Sequence, residues 1–278
     1  MRTVGLPYGS PGVTLTPTER FLWESSGFLV IENALSQAEV DGCLLASEQA
    51  HANIALIRQH TIPSPDPLPT QVTDEWRQLG CGYEFDPALE RLMDHPSFFA
   101  KIGPLLGDQF ILHSSWNTMV PAGSPGGGFH QDASGPSLFR NLATPAPLVQ
   151  VRVGFVLTDL SQPNCGNLIV VPGSHNASVP LPPDSTDYSM GSSSPDGADA
   201  EDGAHQAASA AVEQMHPISS AIPLCAKAGS AILFHQALWH TGGPNLQPYH
   251  PFSHTSIYST LAITQLRAGQ SSRLNQRR

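Results

Sequence analysis

The chain has 278 residues, with 13 Lys and Arg against 23 Asp and Glu, for a formal net charge of -10. So acidic a chain lacks the clustered cations that nucleic acid demands, and 13% charged residues with 24 glycines and 26 prolines suit a loop-rich, mainly β protein. No apolar run approaches the ~20 residues that cross a membrane, no basic-then-apolar leader opens the sequence, and Cys43, Cys81, Cys165 and Cys225 lack disulfide-framework spacing, so reduced thiols and a cytoplasmic location are expected.

Residues 1–15, with Gly5, Pro7, Gly9, Pro11 and Gly12, read as an extended arm. A helix then starts at the N-cap Thr16, with Pro17 in the first turn and Glu19 completing a capping box. Gly27 ends it, and Phe28 to Ile31 is a short apolar strand. Ser36 and Glu39 form a second capping box, opening a helix expected to run to about Ile57. Residues 61–72 are proline-rich and read as a loop. Two short helices follow, Pro87–Asp94 and Pro96–Leu106. From Asp108 onward, β-rich runs at 110–112, 149–157, 168–171, 231–234 and 257–258 are separated by Gly, Pro and Asn turns. Residues 184–212 are Ser, Gly, Ala and Asp with few large apolar side chains, an insertion unable to build a core. Arg273, Arg277 and Arg278 make a solvated basic tail. The expectation is one domain over 1–278: a helical flank over 1–107 and a β core over 108–265.

The stretch Gly126-Gly127-Gly128-Phe129-His130-Gln131-Asp132 carries the first chemical signal. In extended chain, alternate residues share a face, so His130 and Asp132 point the same way. An imidazole and a carboxylate on one face are two-thirds of the facial triad that holds Fe(II) and leaves positions open for other ligands. The third ligand must come from far along the chain. An apolar strand runs into Phe234-His235-Gln236-Ala237-Leu238-Trp239-His240-Thr241-Gly242-Gly243-Pro244-Asn245. His240, just before the turn, is the better candidate, and His235 the alternative.

His130-Gln131-Asp132, Pro172-Gly173-Ser174-His175 and His240-Thr241-Gly242-Gly243-Pro244-Asn245, in this order, resemble the phytanoyl-CoA dioxygenase family. The resemblance implies a mainly β protein with flanking helices, its core a double-stranded β-helix (a jelly-roll, cupin-like barrel). It implies Fe(II) on His130, Asp132 and His240, with 2-oxoglutarate and O₂ as co-substrates, and hydroxylation or another oxidation of a small molecule. Natural-product tailoring follows only by analogy of fold. His175 resembles a structural turn residue. Asn117 resembles an asparagine that hydrogen-bonds 2-oxoglutarate in some members. The arginine usual after the distal histidine is missing here, since no Lys or Arg occurs between His240 and Arg267. His254, near that place, and Arg152, which shares a strand face with Gln150, are the candidate partners for the far carboxylate. With 13 Lys and Arg in all, the chain is poorly equipped for the phosphates of a CoA thioester. Two other readings remain: an iron oxygenase that does not use 2-oxoglutarate, and a non-catalytic cupin-like binding protein.

Overall fold

A computed structural model describes residues 6–52, 77–80, 82–124, 126–132, 145–177, 220–247 and 256–265. The proline-rich stretch at 61–72, the 184–212 insertion, His254 and the basic tail lie outside the described residues. After a two-residue strand β1 (Tyr8–Gly9) comes helix α1 (Pro17–Ser26). Thr16 Oγ1 accepts from the Glu19 N–H at 3.2 Å while Glu19 Oε2 accepts from the Thr16 N–H at 2.8 Å, so the expected capping box forms. Strand β2 (Phe28–Ile31) follows directly, and helix α2 (Gln37–Ala52) opens on the Ser36–Glu39 pair. The expected continuation of α2 to Ile57 lies outside the described residues.

Strand β3 (Arg77–Gly80) precedes three short helices, α3 (Pro87–Glu90), α4 (Pro96–Phe99) and α5 (Ile102–Leu106). The single helix expected over 96–106 is broken at Ala100–Lys101. Pro104 has no N–H to offer the carbonyl four residues back, so the chain re-starts there. The rest is β: β4 (Phe110–Val120), β5 (Gln150–Val156), β6 (Leu168–Val170), β7 (Ile222–Pro223), β8 (Ala231–His235), β9 (His240–Gly242) and β10 (Ser256–Gln265).

The strands form a seven-stranded sheet in the order β1-β2-β8-β5-β10-β4-β3 and a three-stranded sheet in the order β7-β6-β9. Three strands of the expected helical flank, β1, β2 and β3, therefore belong to the major sheet. Strand alternation gives this sheet two kinds of face. Leu29, Ile31, Val151, Val153, Phe155, Leu233 and Leu261 pack outward against α1, α2 and the short helices, through Trp23, Val40, Phe98 and Ile102. Phe155 is 0% exposed, and burying such a ring contributes roughly 1.5–3 kcal/mol. The opposite face carries Phe28, Val30, Val156, Ile232 and Phe234, which meet Val170 and Leu168 of the minor sheet. Two facing sheets of this kind are a jelly roll, and the space between them holds the site.

Candidate metal centre

His130 and Asp132 lie on no named strand. The 126–132 segment is pinned to β9 by one antiparallel bridge, His130 to His240, with backbone hydrogen bonds of 2.9 and 3.1 Å. The Asp132 N–H donates to Gln236 O at 2.9 Å. Gly126 sits at φ 87°, and a Cβ there would lie 3.0 Å from both Gly242 O and Pro244 N. That left-handed backbone and close approach call for glycine at 126, and a Cβ on Gly243 would likewise lie 2.9 Å from Asn167 O. The Gly127 N–H donates to Gly242 O at 2.9 Å, and the Thr241 hydroxyl to Gly127 O at 2.6 Å. Gln131 Nε2 donates to Ala237 O at 2.6 Å.

These bonds bring three side chains to one point. His130 Nε2 lies 3.8 Å from Asp132 Oδ1, His240 Nε2 lies 3.6 Å from Asp132 Oδ2, and one ligand atom from each residue falls within 4.8 Å of the others. The expected shared direction of His130 and Asp132 thus arises from a bridged loop, not from a continuous strand. Each imidazole turns its other nitrogen to a carbonyl: His130 Nδ1 to Gly128 O at 3.0 Å, His240 Nδ1 to Leu238 O at 2.8 Å. A carbonyl only accepts, so Nδ1 carries the proton and the Nε2 lone pairs face the cluster. Burial lowers the His240 pKa to about 4, keeping its ring neutral at physiological pH. Two imidazoles and a carboxylate converging beside a cavity fit a divalent first-row metal ion.

Arg152 lies within the cluster. Its Nε donates to Asp132 Oδ2 at 2.7 Å, and the two side chains are 18% and 10% exposed. Burial works against the Asp132 carboxylate, but nearby positive charge, Arg152 first, outweighs it and holds the pKa below the ordinary value. A cavity of about 330 Å³ opens from the cluster along the inner face of the major sheet. Gly154, Val156, Leu168, Ile232, Tyr258 and Thr260 line it beyond the metal residues.

The structure separates the other expected site residues. Asn117 is turned away from the cavity: it is fully buried, its Oδ1 2.9 Å from His51 Nε2 and its Nδ2 donating to Ser47 Oγ at 2.8 Å, both on α2. Its neighbour Trp116 lines the cavity, and alternation sends Asn117 to the helical side. This corrects the expectation that Asn117 touches a co-substrate. His235 also faces the helical side, 5.0 Å from the His175 ring and 6.3 Å from Trp23. Arg152 stands at the cluster, bound to Asp132, and not at the far end of the cavity. Tyr258, Thr260 and Trp116, which line the cavity, are not among the site residues the sequence points to. Alternation along Tyr258-Ser259-Thr260 is the available signal, and the polar Ser and Thr around it obscure the length of the strand beyond the run at 257–258.

The profile of the family described as phytanoyl-CoA dioxygenase (PhyH) matches residues 23–248. The ectoine dioxygenase of Bordetella bronchiseptica is 27% identical over 154 residues, covering 55% of this chain and 47% of that protein, so the match spans about half the relative's length. Among solved structures, HygX from Streptomyces hygroscopicus with nickel, 2-oxoglutarate and hygromycin B bound has a TM-score of 0.59 at 16% identity, covering 90% of this chain and 88% of that one. EctD from S. alaskensis with 2-oxoglutarate and 5-hydroxyectoine has a TM-score of 0.59 at 18% identity, covering 95% and 79%. These likenesses extend over both sheets and establish the jelly-roll fold.

Proposed function

Because the chain belongs to the phytanoyl-CoA dioxygenase family, we propose that it is an Fe(II)/2-oxoglutarate-dependent dioxygenase that oxidises a small molecule, most simply by hydroxylation. The observation that carries this reading is the convergence of His130, Asp132 and His240, with ligand atoms within 4.8 Å of one another, on the wall of the 330 Å³ cavity. His130 Nε2, His240 Nε2 and an Asp132 oxygen are the metal ligands. Iron held there, with 2-oxoglutarate and O₂, would supply the oxidising power, with succinate and CO₂ as co-products. The protein's own residues do the rest. Leu238 O and Gly128 O fix the imidazole tautomers, Arg152 holds the Asp132 carboxylate ionised, and Val156, Leu168 and Ile232 keep the cavity apolar.

The hygromycin B and 5-hydroxyectoine bound by the structural neighbours support a small-molecule substrate. The one cation among the described cavity residues, Arg152, is engaged by Asp132, which speaks against a phosphate-rich CoA thioester. The chain is read as one catalytic domain in a cytoplasmic setting, where Cys43, Cys165 and Cys225, none of them in a disulfide among the described residues, stay as thiols. Among the described residues no helix is long and apolar enough to cross a membrane.

Anaerobic Fe(II) titration tests the centre. The His130→Ala and Asp132→Ala proteins are expected to bind Fe(II) at least about tenfold more weakly than the parent, and equal binding sinks the assignment. Succinate release from 2-oxoglutarate separates the dioxygenase from an iron oxygenase that does not use this co-substrate.

A further inference from the structure

The inner face of the major sheet is ordered in rows by the strand registers. Arg152 lies between Phe234 and Ala262, Gly154 between Ile232 and Thr260, and Val156 beside Tyr258. On the next strand, Thr260 is paired with Trp116 and Tyr258 with Thr118. Paired residues of antiparallel strands share a face, and successive rows are about 6.5–7 Å apart. The Arg152 row holds Asp132 and is therefore the metal end. The Tyr258–Thr118 row lies two rows further along. Gly154, between them, has no side chain to block the path.

That far end contains polar groups the protein leaves unused. Thr118 is 0% exposed, and its hydroxyl has no hydrogen-bond partner. The phenol of Tyr258, the hydroxyl of Thr260 and the indole N–H of Trp116 all belong to the cavity lining and form no hydrogen bond among the described residues. Around them the walls are apolar: Val156, Leu160, Leu168 and Ile232. A buried hydroxyl left unpaired costs about 1–3 kcal/mol, so that of Thr118 calls for an explanation, and a ligand that accepts from it and from the half-buried donors of Tyr258, Thr260 and Trp116 on the cavity wall is one. Burial raises the Tyr258 pKa, so the phenol keeps its proton and remains a donor.

We propose that Tyr258 and Thr118, flanked by Thr260 and Trp116, form the subsite for the remote carboxylate of 2-oxoglutarate, holding it with neutral donors where an arginine is expected. The inference rests on the function proposed above and adds the residues that select the co-substrate. Two facts favour it over a cation. The sequence has no Lys or Arg from 241 to 266. Arg152 is two rows away with its Nε on Asp132. Hydrogen bonds from neutral O–H groups to a carboxylate are charge-assisted on one side only. The subsite therefore discriminates by matching its donors to two carboxylate oxygens rather than by net charge.

The test compares two 2-oxo acids that differ only at the far end. 2-Oxoglutarate carries the second carboxylate and 2-oxopentanoate ends in a methyl group. Each is titrated anaerobically into the Fe(II)-loaded protein, and binding is read from the visible charge-transfer band and by calorimetry. The wild type is expected to prefer 2-oxoglutarate. Tyr258→Phe and Thr118→Val, which keep shape and delete one hydroxyl each, are expected to reduce that preference about tenfold. Affinity for 2-oxopentanoate and for Fe(II) is expected to stay unchanged, and the two variants report independently should either fold poorly. The proposal is overturned if both variants keep the wild-type preference, if both acids weaken equally, or if only His254→Ala moves the ratio. It is also overturned if the wild type binds 2-oxopentanoate but not 2-oxoglutarate. If neither acid gives a band with wild-type protein, the 2-oxoglutarate reading itself fails, and this inference fails with it.

Discussion

His235 and His240 are five residues apart and do opposite work. His240 is on the cavity side, with its Nε2 toward Asp132, whereas His235 packs on the helical side against His175 and Trp23. Burial lowers the His235 pKa from 6.5 to about 3, and its Nδ1 accepts the Ala237 N–H at 3.0 Å, which a protonated ring cannot do. The sign of the effect follows from linkage. Between pH 6.5 and 3 the unfolded chain binds a proton at this position that the folded chain refuses. Stability therefore falls as pH drops below 6.5, by on the order of 2–3 kcal/mol at pH 4.5, at ~1.4 kcal/mol per pH unit. Urea midpoints measured across this range should fall more steeply for wild type than for His235→Asn. Parallel slopes would remove His235 as the cause. His175, whose pKa burial also lowers, adds a residual slope of the same sign to both proteins. The sequence could rank the two histidines but not show why. Ala231 to Phe234 is apolar on both faces, so no alternation marked which side His235 would take. Asn117 was misplaced for the same reason, since Ser114-Ser115-Trp116-Asn117-Thr118 mixes polar residues on both faces.

The junction of α1 with β2 shows which element boundaries were written locally. Thr16 and Glu19 cap one end, and Gly27 at φ 84° turns the other; all three were legible because capping is a short-range pattern. The tertiary role of Gly27 was not. Its carbonyl accepts the His235 N–H at 2.9 Å, and a Cβ on it would lie 2.5 Å from His175 Nδ1 and 2.9 Å from Leu238 Cδ1. Gly27→Ala therefore combines left-handed backbone strain with overpacking, and should cost about 2–4 kcal/mol. Gly42, inside α2, offers the opposite case. A Cβ there meets only the Ala88 methyl at 3.7 Å, so Gly42→Ala should stabilise by about 0.5–1 kcal/mol. Chemical denaturation of both variants checks the contrast, and equal effects would contradict the packing at Gly27. Longer elements were less legible. β4 and β10 run for 11 and 10 residues, where only short runs at 110–112 and 257–258 stood out. Their Ser, Thr and Asn residues are extended because each strand is hydrogen-bonded on both sides, β10 by β4 and β5, and β4 by β10 and β3. Partners so distant in sequence leave no local trace.

At the scale of the molecule, the three candidate ligands tie separate parts of the fold together. His240 belongs to β9 of the minor sheet, His130 and Asp132 to the segment bridged onto it, and Asp132 reaches across to Arg152 on β5 of the major sheet. An ion held by all three therefore ties the 126–132 segment to β9, while the Asp132–Arg152 ion pair links that centre to the major sheet, and no such arrangement exists in an unfolded chain. Binding must then stabilise by mass action: a free metal concentration of 100 times Kd adds about 2.7 kcal/mol. For a chain of this order of size each kcal/mol moves the melting temperature by roughly 2–4 °C. Adding Ni(II) under anaerobic conditions should therefore raise Tm by roughly 5–10 °C, and a chelator should reverse the rise. With a net charge of -10 the surface also attracts divalent ions weakly, so the rise alone is not specific. Asp132→Asn keeps the side-chain shape and removes the anionic ligand; its own Tm is expected to differ from wild type because Arg152 loses its charged partner. The discriminating quantity is the metal-induced increment in each protein. If Asp132→Asn keeps the full increment, the ion binds elsewhere on the acidic surface, and His130, Asp132 and His240 do not form the metal centre.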